Sequence, residues 1–319
     1  MALDLGDPGS VRAFAAAFQS SRRPLHCLVN NAGANFWNAA PFYTSQGIGG
    51  CAQVNFLGCY TLTRLLEGCL LASAPSRVVT VSSVMHRTGT LRFGATRFLR
   101  EWRCGTYSDA KLAQVLFTYE LDRRLGGRGV RACIADPGAV QTEIWRATPL
   151  RRPGVKAVMD QLYAPPREGA QTVIHAATCD MDEAEQSWNK TCAAPDAGGL
   201  APASASDAAS QAPADATGKA SVPRPSPRST HREPGRLYFA RGLFAGGPVT
   251  ADGWLPQPLW KGAALLCSVM DQPLRRATCG TTTLAGVRPV KSSPESYDRL
   301  RARELWNAAA DVAGLPQEA

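Results

Sequence analysis

The sequence predicts an α/β fold, an incomplete doubly wound parallel sheet with a disordered insert and a C-terminal helix. Three observations carry this. Short apolar runs alternate with longer helical patterns through the first two-thirds of the chain. Continuous apolar runs of that length mark strands buried on both faces, as in parallel sheets covered by crossover helices. After about residue 192 the composition turns to Ala, Pro, Ser and Gly, and helical spacing returns only over 296–315.

Each element has its own signal. "MALDL" (1–5) reads as the end of a strand. "DPGSVRAFAAAFQS" (7–20) reads as a helix, with Asp7 as N-cap and Pro8 at the first helical position. Its Val11, Phe14, Ala15 and Phe18 share one apolar face. "LHCLVNNAG" (25–33) is a short buried strand broken by Asn30, Asn31 and Gly33. "CAQVNFLGCYTLTRLLEGCLLAS" (51–73) is one long helix, apolar on most faces and so largely buried. "SRVVTVSS" (76–83) is a strand ending in two hydroxyls, and "YSDAKLAQVLFTYELDRRL" (107–125) is a helix. "GVRACIADPGAV" (129–140) is a strand stopped by Pro137 and Gly138, and "REGAQTVIHAAT" (167–178) is helical. The organisation is therefore a core over 1–186, a disordered linker over 187–235, a poorly defined insert over 236–292 and a terminal helix within 293–319.

Charge and cysteines exclude several classes. The chain has 319 residues and a net charge of +9. Arginines such as Arg224, Arg228 and Arg232 fall in the Pro/Ser-rich stretch without interleaved aromatics, and no nucleic-acid module is recognisable, so no nucleic-acid partner is expected. The ten cysteines include no CxxC pair and read as reduced packing residues, and no metal site is expected. No apolar run approaches the roughly 20 residues of a membrane span, and the N-terminus has no signal-peptide pattern. A cytoplasmic location is the expectation.

Ligands on a parallel sheet bind at the carboxyl ends of its strands. Asn30, Ser83 and Pro137 all stand at such ends, so three segments converge on one edge. Tyr107 and Lys111 are four residues apart on one helical face. An ammonium beside a phenol favours the phenolate, so the pair is expected to lower the tyrosine pKa and let it exchange a proton with an alcohol or carbonyl oxygen. Ser83 can hydrogen-bond that same oxygen. Asn55 is an unfavourable residue within a buried helix, which a kink holding a water against Lys111 would explain. Each feature alone has an ordinary explanation as surface pair, cap or turn. Their joint order does not.

In that order, "LDL" (3–5), "NNAG" (30–33), "VNFLG" (54–58), "VVTVSS" (78–83), "YSDAK" (107–111) and "DPGAVQT" (136–142), the chain resembles the short-chain dehydrogenase/reductase family. The long gap from Ser83 to Tyr107 and the closing "RARELWNAAADVAGL" are similar to its retinol-dehydrogenase-like branch. The resemblance implies a Rossmann-like fold and a catalytic tetrad of Asn55, Ser83, Tyr107 and Lys111. It implies cofactor contacts from Asp4 to adenine and from Asn30, Ala32 and Gly33 beneath adenosine. Pro137, Gly138, Val140 and Thr142 would close over nicotinamide, and Tyr107 and Lys111 would also contact the cofactor, Lys111 holding the nicotinamide ribose. The implied cofactor is NADP or NAD. The implied reaction interconverts a lipophilic alcohol, retinoid or steroid-like, and its carbonyl, with the substrate lined by 143–165 and the altered region 187–292.

Two features depart from the family pattern. No TGxxxGxG turn precedes "LDL", so "LHCLVN" is expected to be a bare sheet edge and a chain of this extent to bind dinucleotide poorly alone. The short Gly-x-Tyr strand that the family places before its last helix is not found in 187–292. Relatives in this branch often carry an N-terminal anchor at the endoplasmic reticulum; none is expected from this sequence. The alternative function is a catalytically impaired truncated form that pairs with a full-length relative. A homo- or heterodimer would use the helices flanking Tyr107.

Overall fold

The computed structural model describes residues 1–36, 40, 42–91, 94–100, 107–145, 163–192, 238–240, 287–289 and 292–319. Its sheet contains β1 (Cys27–Asn30), β2 (Ser76–Val81), β3 (Val130–Asp136), β4 (Tyr238–Ala240) and β5 (Arg288–Pro289), side by side in chain order. The first four pair in parallel and β5 runs antiparallel to β4. The predicted α/β parallel fold is present.

Strand alternation shows what covers each face. Val78 and Ala132 pack with α6 (Tyr107–Leu125) and α9 (Arg299–Ala313), while Thr80 accepts a hydrogen bond from Thr118 of α6. The residues between them, Val79, Cys133 and Ala135, pack with Ala176, Met181 and Ala184 of α7 (Pro166–Thr178) and α8 (Met181–Cys192). The sheet is therefore sandwiched between two helical layers. Fourteen of the nineteen residues of α6 are buried, because β2 and β3 lie on one side and α9 on the other.

The α9 packing is aromatic. Trp306 meets Tyr60 edge-on at 5.5 Å and Phe117 at 5.8 Å, and its carbonyl accepts the Tyr60 hydroxyl. The guanidiniums of Arg64 and Arg124 lie 4.4 and 4.3 Å from the Trp306 ring. Helix α9 thus packs along α6.

Four expectations change. Leu3–Leu5 is not a strand, having no ladder partner among the described residues; Leu5 O instead accepts Gln53 Nε2 at 2.8 Å. The long helix over 51–73 is divided into α2 (Gly50–Ala52), a π turn (Gln53–Leu57), α3 (Gly58–Leu65) and α4 (Glu67–Ala72). The insert over 236–292 supplies two sheet strands, and β4 stands in parallel beside β3 where the Gly-x-Tyr strand was not found. Helix α8 runs past residue 187 to Cys192, and the rest of the linker, 193–237, lies outside the described residues. The helix α1 (Pro8–Ser20) follows its signals: Asp7 caps it by accepting from Gly9 N at 2.8 Å.

Candidate active site

The carboxyl ends of β2 and β3 meet the first turn of α6. Ser83 follows β2 in extended backbone and caps a 3₁₀ helix (Val84–Thr88), its hydroxyl accepting Met85 N at 3.3 Å. That short helix is stapled to α6: Thr88 donates to Ser108 at 2.9 Å, and Asp109 accepts the N–H groups of Thr90 and Leu91. Gly89 lets the two approach, since a Cβ there would lie 2.5 Å from the Ser108 carbonyl oxygen. Tyr107 opens α6, and the Ser83 side chain lies near enough to its phenol to favour ionisation.

Lys111 is buried one turn on. Its ammonium donates to Val81 O at 2.8 Å and lies 5.5 Å from the centre of the Tyr107 ring. Asn55 sits in the π turn with no exposure, where the expected kink takes the form of a widened turn. Its amide is clamped to Ala34, donating to the carbonyl and accepting the N–H, both at 2.9 Å. Gly33 lies between the two groups: a Cβ there would stand 3.0 Å from Asn55 Oδ1 and 3.7 Å from Lys111 Nζ. The structure thus brings Gly33, Asn55, Ser83, Tyr107 and Lys111 together.

The electrostatics correct one expectation. Burial raises the Tyr107 phenol well above its ordinary pKa, with the Asp136 and Cys51 charges acting in the same sense and only the Ser83 hydrogen bond opposing. Lys111 does not offset this rise, because its own pKa of about 8 leaves it neutral at the high pH where the phenol would ionise. Burial also pushes Lys111 down to about 8, against the pull of Cys59, Asp136 and Cys51. As it stands, Tyr107 is a neutral phenol, a proton donor.

Asp4 and Asn30 have other partners. Asp4 is exposed and its carboxylate accepts Gly6 N at 2.8 Å, within a turn rather than at a strand end. Asn30 is buried and donates to Thr63 at 2.9 Å, tying β1 to α3. Ala32 is exposed beside Gly33. Gly138 takes φ +75° and donates to Asp136 at 2.9 Å, so Pro137 and Gly138 turn the chain sharply away from β3. Val140 is buried against Ala164, and Thr142 is exposed. Of the segment 143–165, residues 146–162 lie outside the described residues.

Asp136 was not among the sequence-derived candidates. It is 3 % exposed at the end of β3, on the strand face that α6 covers. A carboxylate at a buried strand end is costly unless partnered, and that signal was available within "DPGAV". Among the described residues no group of His, Cys, Asp and Glu could hold a metal.

The site fits a nicotinamide ribose. The buried Lys111 ammonium uses one of its three N–H groups on Val81 O, leaving donors for a diol. Gly33 keeps the approach beside it open.

Residues 1–152 match the family model described as short chain dehydrogenase. Over 184 residues the chain is 40% identical to human retinol dehydrogenase 12, covering 56% of each protein. It is 41% identical over 182 residues to human dehydrogenase/reductase SDR family member 13, covering 56% of this chain and 47% of that protein. The chain spans about half the length of the curated relatives it matches. A crystal structure of an uncharacterized protein from Mycobacterium paratuberculosis superposes on 99% of this chain and 76% of its own, with TM-score 0.53 and 23% identity, a likeness of fold. Among the described residues no helix is long and apolar enough to cross a membrane. Motif order, sheet and converging site agree with the sequence matches: residues 1–152 are similar to the short-chain dehydrogenase family.

Proposed function

We propose that the chain is an NAD(P)-dependent oxidoreductase that interconverts a lipophilic alcohol and its carbonyl, with Tyr107 as the proton-transfer group. The juxtaposition of Ser83 and Tyr107, with the Lys111 ammonium behind the ring, carries this reading. A bound dihydronicotinamide supplies the hydride. Lys111 would hold its ribose, and Gly33 would lie beneath the adenosine side. NADP is favoured over NAD by the family resemblance.

The side chains favour reduction. As hydride reaches the carbonyl carbon, charge develops on its oxygen. Ser83 stabilises that oxygen with a hydrogen bond, and the Tyr107 O–H transfers its proton to it, breaking one O–H bond and forming the alcohol. The resulting phenolate is reprotonated from the Lys111 side, where Asn55 and the π turn border the ammonium. Oxidation needs the phenolate first, and burial opposes it. A retinoid or steroid ketone fits the lipophilic class that the retinol dehydrogenase relatives' names suggest.

The test is NADPH oxidation by the purified chain with retinal or a steroid ketone, alone and fused behind the strand–turn–helix of a family relative. Turnover that Y107F abolishes supports the reading. A folded fusion that consumes no cofactor with any carbonyl overturns it.

A further inference from the structure

Ser83 is held by more than its cap. The Met85–Ser83 hydrogen bond is long at 3.3 Å and leaves the hydroxyl weakly fixed. The backbone of Ser83 is gripped from the other side by His86, which is fully buried. His86 Nδ1 lies 2.8 Å from Ser83 O, and its Nε2 lies 3.1 Å from Ser293 N. The backbone N–H of Ser293 can only donate, so Nε2 accepts and Nδ1 carries the ring hydrogen, which it donates to Ser83 O. Burial keeps the ring neutral, consistent with this tautomer.

Ser293 is itself well anchored. The neighbouring Ser292 hydroxyl is 2.9 Å from Tyr119 OH and 2.6 Å from Ser296 Oγ, and Ser292 N donates to Tyr297 OH at 3.1 Å. Tyr297 stacks on Tyr119 at 5.7 Å. Tyr119 belongs to α6, the helix that carries Tyr107 and Lys111. A closed circuit therefore runs from Ser83 through His86, Ser293, Ser292 and Tyr119 back to the catalytic helix.

We infer that His86 is a positioning residue: by bonding Ser83 O and Ser293 N at once, it sets the Ser83 hydroxyl against Tyr107 and makes residues 292–297 part of the active-site support. This rests on the oxidoreductase reading for its catalytic consequence, though not for its geometry. The imidazole forms no covalent bond and transfers no proton.

Three variants of the full chain separate positioning from packing. In H86N the amide nitrogen stands near the Nδ1 position and keeps the bond to Ser83 O. In H86Q the side-chain oxygen reaches toward the Nε2 position and keeps only the acceptor for Ser293. H86A keeps neither. The expected result is a kcat within about threefold of wild type for H86N, and a loss of about tenfold or more for H86Q and H86A with KM little changed. The H86A loss should vanish in an S83A background, since the group being positioned is gone. Equal losses in H86N and H86Q, or an H86A effect that adds to S83A, would overturn the inference.

A readout without turnover accompanies the kinetics. The ¹³Cζ resonance of Tyr107 should move in H86Q toward its position in S83A and stay near wild type in H86N. If the resonance behaves so while no carbonyl is reduced, the positioning stands and the enzymatic reading fails. If turnover is present and the resonance ignores His86, the positioning fails alone.

Discussion

The Lys111 ammonium lies 5.5 Å from the centre of the Tyr107 ring, yet its recorded hydrogen bond goes to the carbonyl of Val81 at 2.8 Å. Lysine and tyrosine are neighbours without being directly bonded. Sequence spacing alone suggested an ammonium that acidifies the phenol. The structure instead gives a buried phenol held protonated and a buried amine eased toward neutrality. Under the proposed function, the lysine holds the cofactor ribose beside the tyrosine.

Carbonyl reduction should therefore fail on the alkaline side. Lys111 is pushed down to about 8 by burial, so above that pH its charge is lost. The reduction rate at subsaturating cofactor should fall through one ionisation near pH 8, while K111R, whose charge does not titrate there, should lose that limb along with much of its activity. A profile flat to pH 10 in the wild type would contradict the assignment.

Acid should cost the fold stability through His86. Its pKa is lowered from 6.5 to about 3, first by burial and then by the Arg87 charge, with the Ser83 carbonyl opposing. The unfolded chain binds the extra proton between those two values, so this stability is fully present above the unfolded pKa and is lost as pH falls toward the folded one. Between pH 7 and 5 the loss is about 2 kcal/mol. Denaturant unfolding at the two pH values checks this: H86N should show a smaller difference than wild type, and an equal difference would refute it.

The C-terminal helix should be structurally essential. Trp306 is 1 % exposed between two guanidiniums and against Tyr60 and Phe117. W306A is expected to cost about 3–5 kcal/mol and W306F clearly less. The same variant should uncover α6 and increase self-association, which light scattering at rising concentration would reveal. Wild-type unfolding midpoints for W306A would show that α9 does not cover the core.

Much of the site was legible because its chemistry is local or periodic. Tyr107 and Lys111 share a helix, Ser83 ends an apolar strand, and Asn55 breaks a helical pattern. What escaped was contact between segments far apart in the chain. Nothing local in "LYFA" shows that Tyr238–Ala240 pairs with β3, because three residues carry no period and the ladder partner lies about a hundred positions earlier. The His86–Ser293 bond spans 207 positions. Asp136 was readable in principle, as a carboxylate at the end of a buried strand. Its influence on Tyr107 depends on the strand register that turns it toward α6.

Comparing wild type with Y107F in NADPH-dependent reduction of a lipophilic carbonyl tests the proton-transfer site most directly. Removing one hydroxyl oxygen should cut kcat by about 10²–10⁴-fold while leaving the fold and cofactor affinity intact. If Y107F reduces the carbonyl at the wild-type rate, Tyr107 does not carry the proton and the account of this site is wrong.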